Sequence, residues 1–219
     1  MKSSKTLLND VFGFNKFRPG QGEIIDAVAS GENVLAIMPT GGGKSLCFQL
    51  PALLNDGLTV VISPLIALMR DQVRGLHAAG VVAGAITSGN TQEETDTVFS
   101  QIISGDLKLL YVAPERLNSS RIQNILRKAN VASLAVDEAH CVSQWGHDFR
   151  PDYLNIGKLR LSLGVPLSAF TATADNETQQ EIIERLFDGV TPKTFLRGFD
   201  RPNIFLSFVP KDKPRRQIM

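Results

Sequence analysis

Short apolar runs alternate with longer amphipathic stretches along most of this chain, and few folds can accommodate that alternation. The runs lie at 33–38, 58–63, 82–87, 107–113, 132–137 and 167–171. The stretches at 22–29, 44–54, 66–79, 92–104, 119–129, 151–163 and 176–187 have the length and periodicity of helices. Strands that are apolar throughout, not on alternate residues only, are covered on both faces. The pattern therefore predicts an α/β domain, a mainly parallel β-sheet with helices on both faces. Pro51 has no N–H to donate and is expected to kink or end its helix. Beyond residue 187 the pattern fades into short β-like pieces at 194–196 and 203–209. The segment from Lys211 to Arg216 then reads as a linker. The expected organisation is one domain over 1–207 and a linker over 208–219.

Composition narrows the partners. Lys plus Arg total 23 against 22 Asp plus Glu, a net charge of +1, so any nucleic-acid contact has to come from local groups and not from a bulk positive field. Cys47 and Cys141 form no C-x-x-C pattern, which argues against a disulfide framework and fits a reducing cytosol. No apolar stretch approaches a membrane span, and no membrane partner is expected; the expected location is cytoplasmic.

The chemistry is concentrated where the apolar runs end. Pro39-Thr40-Gly41-Gly42-Gly43-Lys44-Ser45 stands between a predicted strand and a predicted helix. Glycines let backbone N–H groups close around phosphates, the helix N-terminus adds partial positive charge, and Lys44 can reach the outer phosphates of ATP. Ser45 can then ligate Mg²⁺ through its hydroxyl. The usual phosphate-loop pattern begins with glycine, whereas Met38 stands there in this chain. Asp137 and Glu138 follow the run 134–136. A carboxylate delivered by a buried strand is costly unless it serves a cation, so Asp137 is a candidate Mg²⁺ ligand and Glu138 a candidate general base for the attacking water. The alternative is that the pair caps the helix that follows.

Asp137-Glu138-Ala139-His140, continued by Cys141 through Pro151, resembles the second motif and the aromatic-rich loop of RecQ family helicases. Phe17 to Gln21, Met38 to Ser45, Ser63 to Gln72, Tyr111 to Leu117, Ala169 to Ala174 and Phe199 to Ile204 match the same family in order. The resemblance implies a RecA-like P-loop NTPase lobe of an ATP-dependent DNA helicase that unwinds 3′ to 5′, with a role in DNA repair and recombination. It also implies an N-terminal adenine-recognition segment over 1–31, in which Arg18 and Gln21 read the adenine. Trp145, His147, Phe149 and Arg150 are implied to sense DNA, single-stranded or partly duplex. Thr171 and Thr173 are implied to couple nucleotide state to DNA; as residues of a plain Ser/Thr turn they would need no function. Trp145 could otherwise plug the core beneath a long loop.

Ser63-Pro64, Arg70, Thr87-Ser88-Gly89 and Pro114-Glu115-Arg116 resemble the strand-contacting segments of the family. Contacts of that kind bind phosphate without reading bases. His140, Cys141 and His147 raise the question of zinc, but they lack a fourth ligand and the two-residue Cys spacing, which argues against a metal cluster. The family also implies a second RecA-like lobe that supplies an arginine finger. A chain ending at Met219 is therefore expected to bind ATP and turn it over weakly. Two rival readings remain open: a nucleotide-dependent DNA-binding module without useful turnover, and a P-loop ATPase acting on protein or small molecules.

Overall fold

The computed structural model describes residues 3–144 and 148–197, and within them each apolar run coincides, to within one or two residues at its ends, with one strand of a single sheet. The strands are β1 (Val34–Ile37), β2 (Leu58–Ile62), β3 (Ala83–Ile86), β4 (Leu109–Val112), β5 (Val131–Val136), β6 (Leu167–Thr171) and β7 (Lys193–Leu196). They lie in the order β3-β4-β2-β5-β6-β1-β7, and every neighbouring pair is parallel. The helices are α1 (Ser4–Phe12), α2 (Gln21–Ala29), α3 (Leu46–Leu54), α4 (Ile66–Ala78), α5 (Gln92–Ser104), α6 (Ser120–Lys128), α7 (Ile156–Leu163) and α8 (Asn176–Phe187).

Successive strand residues point to opposite faces, and here both faces are covered. Leu35, Ile37, Val60, Ile62, Leu134 and Val136 join the buried residues of α5 to α8. Val34, Ala36, Val61, Ala135 and Phe170 join those of α1 to α4. The chain steps from β1 through β2 to the edge strand β3 by way of α3 and α4, then returns across the sheet by way of α5 to α8. Crossovers between parallel strands are right-handed, so reversing the direction of travel moves the helices to the other face. The neighbours β1 and β6, and likewise β2 and β5, thus send their connections to opposite faces. A crevice opens beyond the carboxyl ends of such strands, and ligands bind there.

Four details differ from the sequence expectation. Helix α1 was not foreseen; the Ser3 side chain caps it by accepting the Thr6 N–H, Gly13 ends it, and Leu7 and Leu8 bury its inner face. Helix α3 starts at Leu46, because Lys44 and Ser45 still belong to the turn of the glycine loop. Pro51 does not end α3, which runs on to Leu54 with Phe48, Leu50 and Ala52 buried around it; tertiary packing outweighs one missing backbone donor. The 151–163 stretch divides into a 3₁₀ turn, Pro151–Asn155, and α7. Both cysteines are free and buried. Among the described residues no helix is long and apolar enough to cross a membrane. The expected piece at 203–209, the boundary at 207 and the linker at 208–219 lie outside the described residues.

Candidate functional site

Met38, the first residue after β1, donates its N–H to the Thr171 carbonyl at 2.9 Å, so the glycine loop begins beside the end of β6. Gly41 and Gly43 have φ of 76° and 83°, left-handed values that strain any residue with a Cβ. Gly42 is required for a different reason, since a Cβ there would stand 2.8 Å from the Pro39 carbonyl oxygen. The backbone therefore curls into the N-terminus of α3, whose first turn has no side-chain cap. Free N–H groups and the helix dipole at such a place favour an anion. Thr40 is exposed at the rim of the curl, and Lys44 and Ser45 are half-buried at its exit.

Gln21, buried at the start of α2, is fastened to this loop. Its Oε1 accepts the Arg18 N–H at 2.7 Å, and its Nε2 donates to the carbonyls of Gly43 at 3.2 Å and Gly42 at 3.4 Å. The Arg18 guanidinium donates to the Gly41 carbonyl. The two residues expected at the adenine edge thus lie against the phosphate loop, and their polar atoms hold its backbone.

Asp137 arrives at the same rim from the end of β5, where its N–H donates to the Ile62 carbonyl at 2.8 Å. Its carboxylate is buried, with 7% exposure. Oδ2 accepts from the Ser63 hydroxyl at 3.3 Å and Oδ1 from the Glu138 N–H at 3.0 Å. Burial pushes its pKa up to about 6 and the neighbouring Glu138 charge adds to that; the Glu138 N–H, Lys44 and Ser63 pull the other way. A buried carboxylate so thinly compensated suits a cation. The Asp137 carboxylate and the Ser45 hydroxyl are hard oxygen donors of the kind Mg²⁺ takes.

Glu138 sits in the left-handed region at φ 49° and ψ 49°, a strained conformation of the kind stored at functional sites. Its neighbours hold it there: the Cys141 N–H donates to its carbonyl at 2.9 Å, and the buried Tyr153 hydroxyl donates to the Asp137 carbonyl at 3.1 Å. Glu138 makes no capping bond to the following 3₁₀ turn, Ala139–Val142, so the capping alternative does not describe its side chain. Glu138 Oε2 lies instead 3.4 Å from His140 Nδ1. The same nitrogen is 3.0 Å from the hydroxyl of Thr171, which is fully buried at the end of β6. That hydroxyl also lies within hydrogen-bond distance of the Thr173 carbonyl, at 2.9 Å. Thr171 therefore makes a Ser/Thr turn and contacts the acidic segment as well. The Thr173 side chain is exposed, and its backbone completes the turn.

Trp145 and His147 lie outside the described residues. Phe149 is half-buried. Arg150 donates from its backbone N–H to the Cys141 carbonyl at 2.9 Å and from Nη1 to the Pro64 carbonyl at 3.3 Å. The fold brings ligand atoms of His140, Cys141 and Asp148 within 4.8 Å of one another, a proximity that the sequence spacing did not announce. Arg150 pairs with Asp148 at 3.6 Å, the Cys141 thiol donates to Asp148 at 3.8 Å, and burial pushes that thiol up to about 12. The trio acts as a hydrogen-bonded tie between the segments flanking 145–147.

The expected strand-contacting segments line the same rim with one correction. Ser63 and Thr87 are buried, and their hydroxyls are used internally, toward Asp137 and toward Asn90 at 2.6 Å. Pro64, Ser88 and Gly89 are what the rim presents, and Arg70 is joined to it by a 3.2 Å bond to the Gly89 carbonyl. Sequence reasoning missed Ser63 and Tyr153 as partners of Asp137, because residues 74 and 16 positions away carry no local sign of that contact.

The DEAD/DEAH box helicase family model matches residues 18–182 of this chain. A protein of Haemophilus influenzae named ATP-dependent DNA helicase RecQ is 48% identical over 214 residues, covering 97% of this chain and 34% of that protein. Its namesake in Pasteurella multocida is 47% identical over 213 residues, covering 97% and 34%. The chain thus spans about a third of the length of the curated relatives it matches. A crystal structure of the DUF1998 helicase MrfA bound to DNA superposes with a TM-score of 0.71 at 17% identity, over 89% of this chain and 29% of that one, and supports the fold.

Proposed function

Because the chain belongs to the DEAD/DEAH box helicase family, and is similar over nearly its whole length to RecQ helicases, we propose that it is the ATP-binding lobe of an ATP-dependent DNA helicase. The observation that carries this reading is the convergence at one rim of the glycine curl, the acidic pair and Thr171, joined by the Met38 N–H and by His140.

In this reading Thr40 to Ser45 cradle the phosphates, Lys44 neutralises the outer ones, and Arg18 and Gln21, seated against the loop, read the adenine. Ser45 and Asp137 hold Mg²⁺, which when bound supplies positive charge against the phosphoryl oxygens. Glu138, held in its strained conformation, is placed to take a proton from water. His140 and Thr171 carry a change at the acidic pair into β6. Trp145, His147, Phe149 and Arg150 belong to the DNA-responsive loop, and a second RecA-like lobe supplies the arginine finger. The 3′-to-5′ polarity and the role in repair and recombination follow the family resemblance.

The deciding experiment is ATPase rate with and without single-stranded DNA, on this chain and on the full-length protein, with Lys44→Ala and Trp145→Ala. Strong DNA stimulation of the full-length protein, loss of turnover in Lys44→Ala and loss of stimulation alone in Trp145→Ala support the reading. A rate indifferent to DNA in every form rules out the DNA assignment.

A further inference from the structure

The segment carrying the acidic pair leads into the DNA-responsive loop, and one carboxylate on a different element holds the place where the two meet. Glu181, in α8, accepts with Oε2 from the Ser143 hydroxyl at 2.5 Å and from the Gln144 N–H at 2.8 Å. Its Oε1 accepts from Arg185, one turn further along α8, at 2.8 Å. Ser143 is fully buried, so the chain leaves the core at this carboxylate. Burial raises the Glu181 pKa, but the hydrogen bonds from Ser143, Arg185 and Gln144 outweigh it and hold the carboxyl below its usual range. Bonds to a charged acceptor are roughly twice as strong as neutral ones, which makes this a firm joint.

The N-terminal end of α8 is joined to the coupling threonines. Asp175 caps the helix by accepting the Thr178 N–H at 2.8 Å, and Gln179 Nε2 donates to the Ala174 carbonyl at 3.0 Å. The Thr171–Thr173 turn immediately precedes that cap and touches His140. Residues 138–144 are therefore tied to the β6–α8 unit twice, at His140 by Thr171 and at Ser143 and Gln144 by Glu181. A segment held at two points on one rigid body transmits a displacement from one end to the other; held at one point, it pivots.

We infer that Glu181 is a positioning residue for the coupling of DNA binding to ATP hydrolysis, fixing the point at which the DNA-responsive loop departs from the acidic segment. This inference rests on the helicase reading above. Glu181 contacts neither the glycine loop nor the acidic carboxylates, so its loss leaves the chemical groups in place and disconnects them from the loop.

The test uses the full-length protein with Glu181→Gln, Glu181→Asp and Ser143→Ala, read as basal ATPase, DNA-stimulated ATPase, ATP KM and thermal stability. Glu181→Gln is expected to lower DNA stimulation about tenfold, the scale of one charge-assisted hydrogen bond. Basal rate and ATP KM should stay within about twofold of the parent, and Glu181→Asp should restore part of the stimulation. Ser143→Ala, which removes the hydroxyl bond to Glu181 and leaves Glu181 paired with Arg185, should show the same selective loss in milder form. Unchanged stimulation in both Glu181→Gln and Ser143→Ala overturns the inference, as does a parallel fall of basal and stimulated rates, which would mark a merely structural contact. A parent protein that ignores DNA altogether overturns the helicase reading instead, and the inference with it.

Discussion

His140 Nδ1 lies 3.0 Å from the Thr171 hydroxyl, a side-chain bridge between the segment after β5 and the end of β6. It joins the acidic pair to the strand that also receives the Met38 N–H from the start of the glycine loop. If the bridge carries one signal, its two halves fail as a unit. His140→Ala and Thr171→Ala should each reduce DNA-stimulated ATPase, and the double variant should be no worse than the worse single one. Groups in direct contact typically show coupling of about 0.5–3 kcal/mol. Strictly additive losses in a double-mutant cycle on kcat would separate the two residues.

Gly43 is the most constrained residue of the phosphate loop. Its φ of 83° disfavours a side chain, and a Cβ would run into the Gln21 amide. Gly43→Ala should lower stability by about 1–3 kcal/mol and abolish binding of a fluorescent ATP analogue. Gln21→Ala removes hydrogen bonds to the same loop and should weaken nucleotide binding at a stability cost of about 1 kcal/mol. Titration of the analogue alongside chemical denaturation checks both, and full nucleotide affinity in Gly43→Ala would contradict the role given to the curl.

Lys44 is half-buried at the exit of the loop, so truncating it removes charge without opening a cavity. Lys44→Ala should leave unfolding within about 0.5 kcal/mol of the parent while nucleotide affinity collapses. Isothermal titration with ATP, paired with a thermal melt, distinguishes that outcome from general unfolding.

Asp137 gives the fold a pH dependence of definite sign. Its pKa is pushed up to about 6, chiefly by burial, from an unfolded value near about 4. Between those values the folded state binds the extra proton, so stability falls as pH rises through that window. The cost is fully present above about pH 6 and amounts to about 3 kcal/mol at most. Asp137→Asn should therefore stabilise the metal-free chain at pH 8 and lose that advantage at pH 4. Denaturant unfolding in a chelator at the two pH values checks the sign, and equal effects at both would refute it.

Tyr153 supports the strained backbone at Glu138 from below, through its 3.1 Å bond to the Asp137 carbonyl. Tyr153→Phe keeps the buried ring and removes the bond, at about 1 kcal/mol of stability. Because Glu138 sits in the left-handed region, kcat should fall more than ATP KM rises. A change confined to KM would place the tyrosine in nucleotide binding instead.

The apolar runs determined the strands without tertiary help, because a strand buried on both faces has to be apolar at every position. The glycine loop and the acidic pair were equally legible, since close backbone approach and a buried charge demand particular residues at adjacent positions. Helix α1 was carried by weaker cues, a Ser cap, a closing Gly and two buried leucines, which are too short a pattern to separate from a polar chain start. The order of the strands, and with it which loops share the rim, was decided only by the fold. That order brings Ser63 to Asp137, Thr171 to His140 and Glu181 to Ser143. Ser63 and Thr87, read as surface contacts, turned inward because the buried carboxylate and the Thr87–Asn90 turn each needed a hydroxyl. Local sequence specifies what a backbone segment can become. Contacts between residues 31 to 74 positions apart depend on how layers of helices settle on a sheet, and that is settled by the burial of the whole core at once.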